Sequence, residues 1–249
     1  MILFYFSGTG NSKYIAELFS NKMNINCYSI EIYADFDKLI TENDTIAFCY
    51  PVYGSRVPRI FREFVTNHMG VLNGKKLIIF CTQLGFSGDG ARAFTDMFNK
   101  DSVRIVYAEH FNMPNNINNM SIFPISSDKT NATCLAKAKK KMNIVCRNIS
   151  NGKVIKRGFN LFSRALGLIQ GAFMPRVEQS GLDSVQIDDD CNGCGLCVQI
   201  CPMHNFRLEN NIIIPQGNCT LCYRCINKCP QKSISVYICK KVKKQYKGL

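Results

Sequence analysis

CNGCGLCVQICP at residues 191–202 and CTLCYRCINKCP at residues 219–230 are two copies of one pattern, C-x2-C-x2-C-x3-C-P, offset by 28 positions (219 − 191). Three thiolates at every third residue wrap a chain around one face of an iron–sulfur cube, and a fourth arrives from elsewhere to close the site. In this spacing the fourth comes from the other copy. One [4Fe–4S] cluster therefore falls to Cys191, Cys194, Cys197 and Cys229, and a second to Cys219, Cys222, Cys225 and Cys201. Structural zinc closes a tetrahedron with two C-x2-C pairs and has no use for an overlapping triplet followed by Cys-Pro.

The flanks extend this reading. Val185–Ile187 and Ile234–Ile238 alternate apolar and polar residues as short paired strands do, and Phe206–Ile214 reads as a hairpin around Asn210-Asn211. Gly193 and Gly195 let backbone amides approach cluster sulfurs, and such hydrogen bonds tune the potential. On its eight cysteines and two prolines the stretch resembles the bacterial two-cluster ferredoxin module.

That module uses residues 184–249 of a 249-residue chain, which leaves room for one larger domain before it. The small part cannot build a sufficient core and is expected to depend on its clusters for folding. Residues 2–6 are apolar but carry no basic leader or small-residue cleavage site, so no secretory signal is read and a cytoplasmic location is expected. Cluster thiolates need a reducing compartment, which suits fourteen cysteines better than a disulfide scaffold. The six others, Cys27, Cys49, Cys81, Cys134, Cys146 and Cys239, lack ligand spacing, and none is assigned chemistry. A formal charge of +13 favours acidic protein partners. The lysine runs at 137–141 and 240–247 have no interleaved exposed aromatics and no recognisable reading motif, so nucleic acid is not expected.

At the other end, Ile2–Phe6 is a continuous apolar run of the kind a central parallel strand requires, and Ser7-Gly8-Thr9-Gly10-Asn11-Ser12 follows at once. A helix with Ile15, Ala16, Leu18 and Phe19 on its apolar face comes next, so free amides and the helix dipole at this turn attract a phosphate. The dinucleotide fingerprint needs a glycine where Lys13 stands, and the ATP loop needs a longer spacing. Further strands are expected at Asn26–Ile32, Thr45–Tyr50, Lys76–Thr82 and Val103–Ala108. Helices are expected after residue 58, after Gly90, and along Leu135–Ile149. Strand–helix alternation implies a doubly wound parallel sheet with its ligand at the carboxyl ends of the strands, where three Gly-bearing loops fall.

Residues 1–150 resemble flavodoxin, most specifically at Ser7–Ser12 and Pro51-Val52-Tyr53-Gly54. The resemblance implies an α/β flavodoxin-like, five-stranded parallel sheet that binds FMN. By it Ser7, Gly8, Thr9, Gly10, Asn11 and Ser12 hold the phosphate, and Tyr53 stacks on the ring between Pro51, Val52 and Gly54. Thr82 to Gly90, with Thr82, Gly85 and Phe86, borders the other edge, and Phe86 is the candidate for a second stacking side chain. A connector is expected at residues 151–183. Its apolar stripe (Leu161, Phe162, Ala165, Leu166, Ile169, Phe173) is expected to pack between the domains rather than lie on a membrane surface.

In module order the whole chain resembles the flavodoxin-fused ferredoxins of anaerobes. The resemblance implies an electron-transfer protein that links redox partners through FMN and two [4Fe–4S] clusters, with no catalytic residue assigned. The alternative is a flavin-dependent reductase of a small substrate, with His110, Tyr53 or Asp89 as proton donor.

Overall fold

The structure, a computed structural model, describes residues 1–86, 88–99, 101–118, 125–237 and 242–249. Ser87 of the third loop, Ile238 of the expected last strand, Cys239, and Lys240 and Lys241 of the terminal lysine run lie outside the described residues.

Strands buried on both faces read as unbroken apolar runs. β1 (Ile2–Tyr5), β3 (Thr45–Pro51) and β4 (Lys76–Gln83) are such runs, with β2 (Cys27–Ser29), β5 (Arg104–Asn112) and β6 (Ile155–Lys156) beside them. They form one parallel sheet in the order β2-β1-β3-β4-β5-β6. Phe4 lies opposite Phe48, Phe48 opposite Ile79, and Ile79 opposite Ala108. The sixth strand departs from the expected five: Ile155 pairs with Tyr107 and Lys156 with Ala108, inside the segment assigned to the connector. Two residues carry no periodicity that a sequence can reveal, and here they cover an edge that β5 would otherwise expose.

Helices α1 (Asn11–Met23) and α6 (Asp128–Ser150) cover one face, where Ile15, Phe19, Met142 and Val145 pack on Leu3, Ile78, Phe80 and Tyr107. On the other face α2 (Phe36–Thr41), α3 (Arg59–Asn67), α4 (Met69–Leu72) and α5 (Gly90–Thr95) bring Phe36, Phe61, Phe64 and Phe94 onto Phe4, Phe48 and Tyr50. Edge-to-face pairs fix that packing, Phe48 with Phe61 at 5.7 Å and Phe36 with Phe64 at 4.9 Å.

α7 (Leu161–Leu182) does run from one domain to the other, but not on its apolar stripe. Its inward face is Ser163, Gly167, Gln170, Met174, Glu178 and Gly181, at helical spacings of four, three, four, four and three. Ser55 Oγ donates to Gln170 Oε1 at 2.7 Å, Arg62 makes a two-pronged ion pair with Glu178 at 2.8 and 2.9 Å, and Gly181 packs on Leu221. Gly167 lies so close to the buried Asp89 carboxylate that a Cβ would run into it. Small side chains let this face approach, and the bulky stripe is left outside. Gly167→Val is expected to destabilise the protein by about 1–3 kcal/mol, read as a lowered melting midpoint.

The small domain comprises β7 (Val185–Ile187), α8 (Leu196–Ile200), β8 (Phe206–Glu209), β9 (Ile212–Pro215), α9 (Arg224–Lys228) and β10 (Ile234–Val236). β7 and β10 pair antiparallel, as do β8 and β9. Asn210 and Asn211 turn the hairpin with φ of 49° and 63°. Val185, Phe206, Ile213, Ile226, Ile234 and Val236 pack among the cysteines rather than forming a core apart from them.

Candidate flavin and cluster sites

Two apolar cavities in the small domain divide the eight cysteines. Cys191, Cys194, Cys197 and Cys229 line the first, with Ile187, Leu196, Ile213 and Pro230. Cys201, Cys219, Cys222 and Cys225 line the second, with Phe206, Leu221 and Ile226, and Cys225 also reaches the first. Backbone amides already point at sulfur: Asn205 N–H donates to Cys201 Sγ and Leu221 N–H to Cys219 Sγ, each at 3.3 Å. Burial pushes the Cys222 thiol up to about 12 and the Cys197 thiol to about 11. A thiolate there needs a cation to hold it, so ligation and folding are linked. Gly195 lines the first cavity, whereas Gly193 packs against the carbonyl of Asn211 in the hairpin.

A third cavity of about 510 Å³ lies at the carboxyl ends of β1, β3 and β4, a volume suited to a small-molecule cofactor. Ser7, Gly8, Thr9, Asn11 and Ser12 line it at the start of α1; Pro51, Val52, Tyr53, Gly54 and Thr82 line the rest of the predicted wall. Gly10 sits behind this wall. It precedes α1 at φ 103°, a conformation open to glycine, and its N–H donates to Ser7 Oγ at 3.1 Å. Ser12 Oγ and Thr82 Oγ1 are hydrogen-bonded at 2.7 Å, joining the first and third loops.

Gly85 and Phe86 do not border this cavity. Gln83 donates to Gly85 O at 2.6 Å and to Asn112 Oδ1 at 2.8 Å, which folds the loop back toward β5. Phe86 faces solvent beside Phe162, at a ring separation of 6.1 Å. Leu84 takes the wall in their place. Met174 and Val177 of α7 and Leu221, Tyr223 and Tyr237 of the small domain complete it. Tyr223 and Tyr237 escape sequence reasoning because they belong to the other module; their only signal is proximity to cluster cysteines in the chain.

The flavin-type cavity and the second cysteine cavity share Leu221 and Tyr223 as walls. Gly8 presses on the carbonyl of Cys222 so closely that no side chain fits between them. Arg224 locks this junction, donating to Ser7 O at 2.9 Å, Gly8 O at 3.1 Å and Ile200 O at 2.9 Å and pairing with both oxygens of Glu31. The hydroxyls of Tyr53 and Thr220 are buried here without a hydrogen-bond partner, and Cys222 and Cys219 lead the side chains that act electrostatically on Tyr53. Buried donors without acceptors are rare. A sulfur-rich group in the second cavity offers acceptors beside these donors, so the residues fit the cluster.

Residues 2–119 match the Flavodoxin domain family, and residues 177–234 match the 4Fe-4S dicluster domain family. The ferredoxin of Methanothermococcus thermolithotrophicus is 38% identical over 58 residues, 21% of this chain and 97% of that ferredoxin. The chain belongs to the flavodoxin-fused ferredoxins. Among solved structures, Megasphaera elsdenii flavodoxin aligns with 57% of the fusion and 99% of its own chain, at 19% identity and a TM-score of 0.40. A flavodoxin from the domain Archaea aligns with 60% of the fusion and 97% of its own chain, at 18% identity and a TM-score of 0.36.

In the fused ferredoxin, His110 and Asp89 lie away from the flavin-type cavity. Asp89 is held by Arg92 at 2.5 Å. His110 Nε2 accepts from Ala91 N at 3.3 Å and lines a separate polar cavity with Lys137, Lys141 and Arg157. Burial lowers the His110 pKa from 6.5 to about 4, Lys141 and Arg157 acting in the same sense against Glu109. The unfolded chain therefore binds the proton first, so His110's contribution to stability is full above about pH 6.5 and is lost as pH falls toward 4, about 3 kcal/mol in all. His110→Gln is expected to flatten the acid side of a series of urea melts followed by circular dichroism.

Proposed function

We propose that the chain carries electrons internally between FMN and two [4Fe–4S] clusters and so links separate redox partner proteins. FMN, when bound, supplies a store of one or two electrons, and each cluster a one-electron step. Residues 1–156 form the flavin-binding part, α7 the connector, and residues 184–249 the cluster part. Cys191, Cys194, Cys197 and Cys229 hold the outer cluster, and Cys201, Cys219, Cys222 and Cys225 the inner one. Ser7, Thr9, Asn11 and Ser12, with the amides opening α1, hold the phosphate; Pro51 to Gly54, Thr82 and Leu84 hold the ring, with Tyr53 against its face.

The observation that carries this reading is the shared wall between the flavin-type cavity and the inner cysteine cavity. Side chains at that wall exclude water and fix the separation, so electrons pass within the chain and not by collision. Among the described residues no three cysteine, histidine or acidic side chains are gathered tightly enough for a single metal ion. Quartets spread around a larger group are consistent with clusters. No helix among the described residues is long and apolar enough to cross a membrane. The need for reduced thiolates supports a cytoplasmic location.

Anaerobically purified protein tests the proposal. About one FMN and eight irons per chain are expected. Cluster absorbance should bleach at a rate independent of protein concentration once the flavin alone is photoreduced. Full cofactors with a rate proportional to concentration would sink the internal route.

A further inference from the structure

Among the described residues, the outward face of α7 carries a row of large apolar side chains that neither domain covers. Leu161, Phe162, Leu168, Ile169 and Phe173 are each between 62% and 84% exposed, although the helix has a perfectly usable inward face. Phe86, 56% exposed, extends the patch from the loop after β4 through its contact with Phe162. From Leu161 to Phe173 the stripe is about 18 Å long at 1.5 Å per residue. Single exposed apolar residues are ordinary, but a contiguous row marks an interaction surface.

Charge selects the occupant. Between Val154 and Val177 the chain has no acidic residue; Lys156, Arg164 and Arg176 are exposed, and Arg157, also exposed, is paired with Glu109. Glu178, the first acid after this stretch, is turned inward and taken by Arg62. A second copy of the chain would bring two cationic faces together. A row of Leu, Ile and Phe set among arginines and lysines fits the interface of an anionic bilayer, where the rings enter the acyl boundary and the cations meet lipid phosphates. We propose that α7 docks the protein, lying flat, on an anionic lipid surface. Met174 and Val177 on the same helix line the flavin-type cavity, so docking would hold that cavity beside the membrane. This inference is independent of the internal electron route.

The test is sedimentation of the full chain, cofactors retained, with phosphatidylcholine vesicles made with and without phosphatidylglycerol. Binding only to the anionic vesicles, weakening with added salt, is the expected result. Leu168→Gln with Phe173→Gln should lower the affinity by roughly tenfold or more. Arg164→Gln with Arg176→Gln should lower it and flatten its salt dependence. All four positions are solvent-exposed, so flavin and iron contents should match the parent and act as the folding control. Absence of binding to anionic vesicles overturns the proposal. So does concentration-dependent dimerisation that the Leu168 and Phe173 changes abolish, because the stripe would then belong to a second copy, and so does vesicle binding that both pairs of changes leave intact.

Discussion

Cys222→Ala is expected to lower bound iron from about eight to about four per chain and to break contact between the flavin and the remaining cluster. Its effect should exceed that of Cys191→Ala, which removes the outer cluster and leaves the junction standing. The difference arises from position. Cys222 is a proposed ligand, it packs into the core cluster of the large domain, and its carbonyl abuts Gly8 in the phosphate loop. Loss of a ligated metal centre costs a small domain several kcal/mol of folding free energy. Cys222→Ala should therefore also weaken flavin retention, whereas Cys191→Ala should not. Iron analysis with a flavin fluorescence titration on both variants separates the cases. Unchanged iron in either would refute the corresponding quartet.

Arg224→Met is expected to loosen the two domains without removing any cofactor ligand. Arg224 and Glu31 are 19% and 22% exposed at the side chain, so the pair is largely shielded from water. Removing the guanidinium leaves the Glu31 carboxylate and the carbonyls of Ser7, Gly8 and Ile200 short of their donor. One-sided loss of such a pair costs about 2–4 kcal/mol. Flavin affinity should fall by roughly thirtyfold to several hundredfold if that cost appears in the loop. Arg224→Lys should recover little, because one ammonium cannot serve a forked carboxylate and three carbonyls together. Flavin titration and limited proteolysis across residues 150–185 would measure both effects. An affinity equal to the parent's would mean that the loop does not depend on the second domain.

The large sheet was legible because β1, β3 and β4 are continuous apolar runs and each ends in a loop of Gly, Ser and Thr. The grouping of the cysteines around two cavities was legible because the C-P pattern repeats at a fixed offset. What escaped has physical causes. β6 is too short to show a period. Phe86 belongs to a loop whose path is set by Gln83 reaching Asn112, a contact between residues far apart in the chain. In α7 two faces compete for burial, and hydrophobicity favours the wrong one. The face with Gly167 wins because it can reach Asp89 closely, while the Leu and Phe row has no partner in the chain. Tyr223 and Tyr237 enter the flavin wall only through docking of the domains, which no single module's pattern encodes.

The phosphate loop has a further consequence for how the protein is made. Residues 7–12 leave the ribosome well before the small domain does, yet Arg224 clamps the carbonyls of Ser7 and Gly8, Tyr246 donates to Asn11 Oδ1 at 2.8 Å, and Gly248 lies against the carbonyl of Thr9. The nascent sheet domain can fold as a unit during synthesis, but its cofactor loop is finished by residues translated more than two hundred positions later. Flavin capture is therefore expected to follow folding of the small domain. In a cell short of iron, chains with a folded sheet and an unfinished cofactor loop are the expected product.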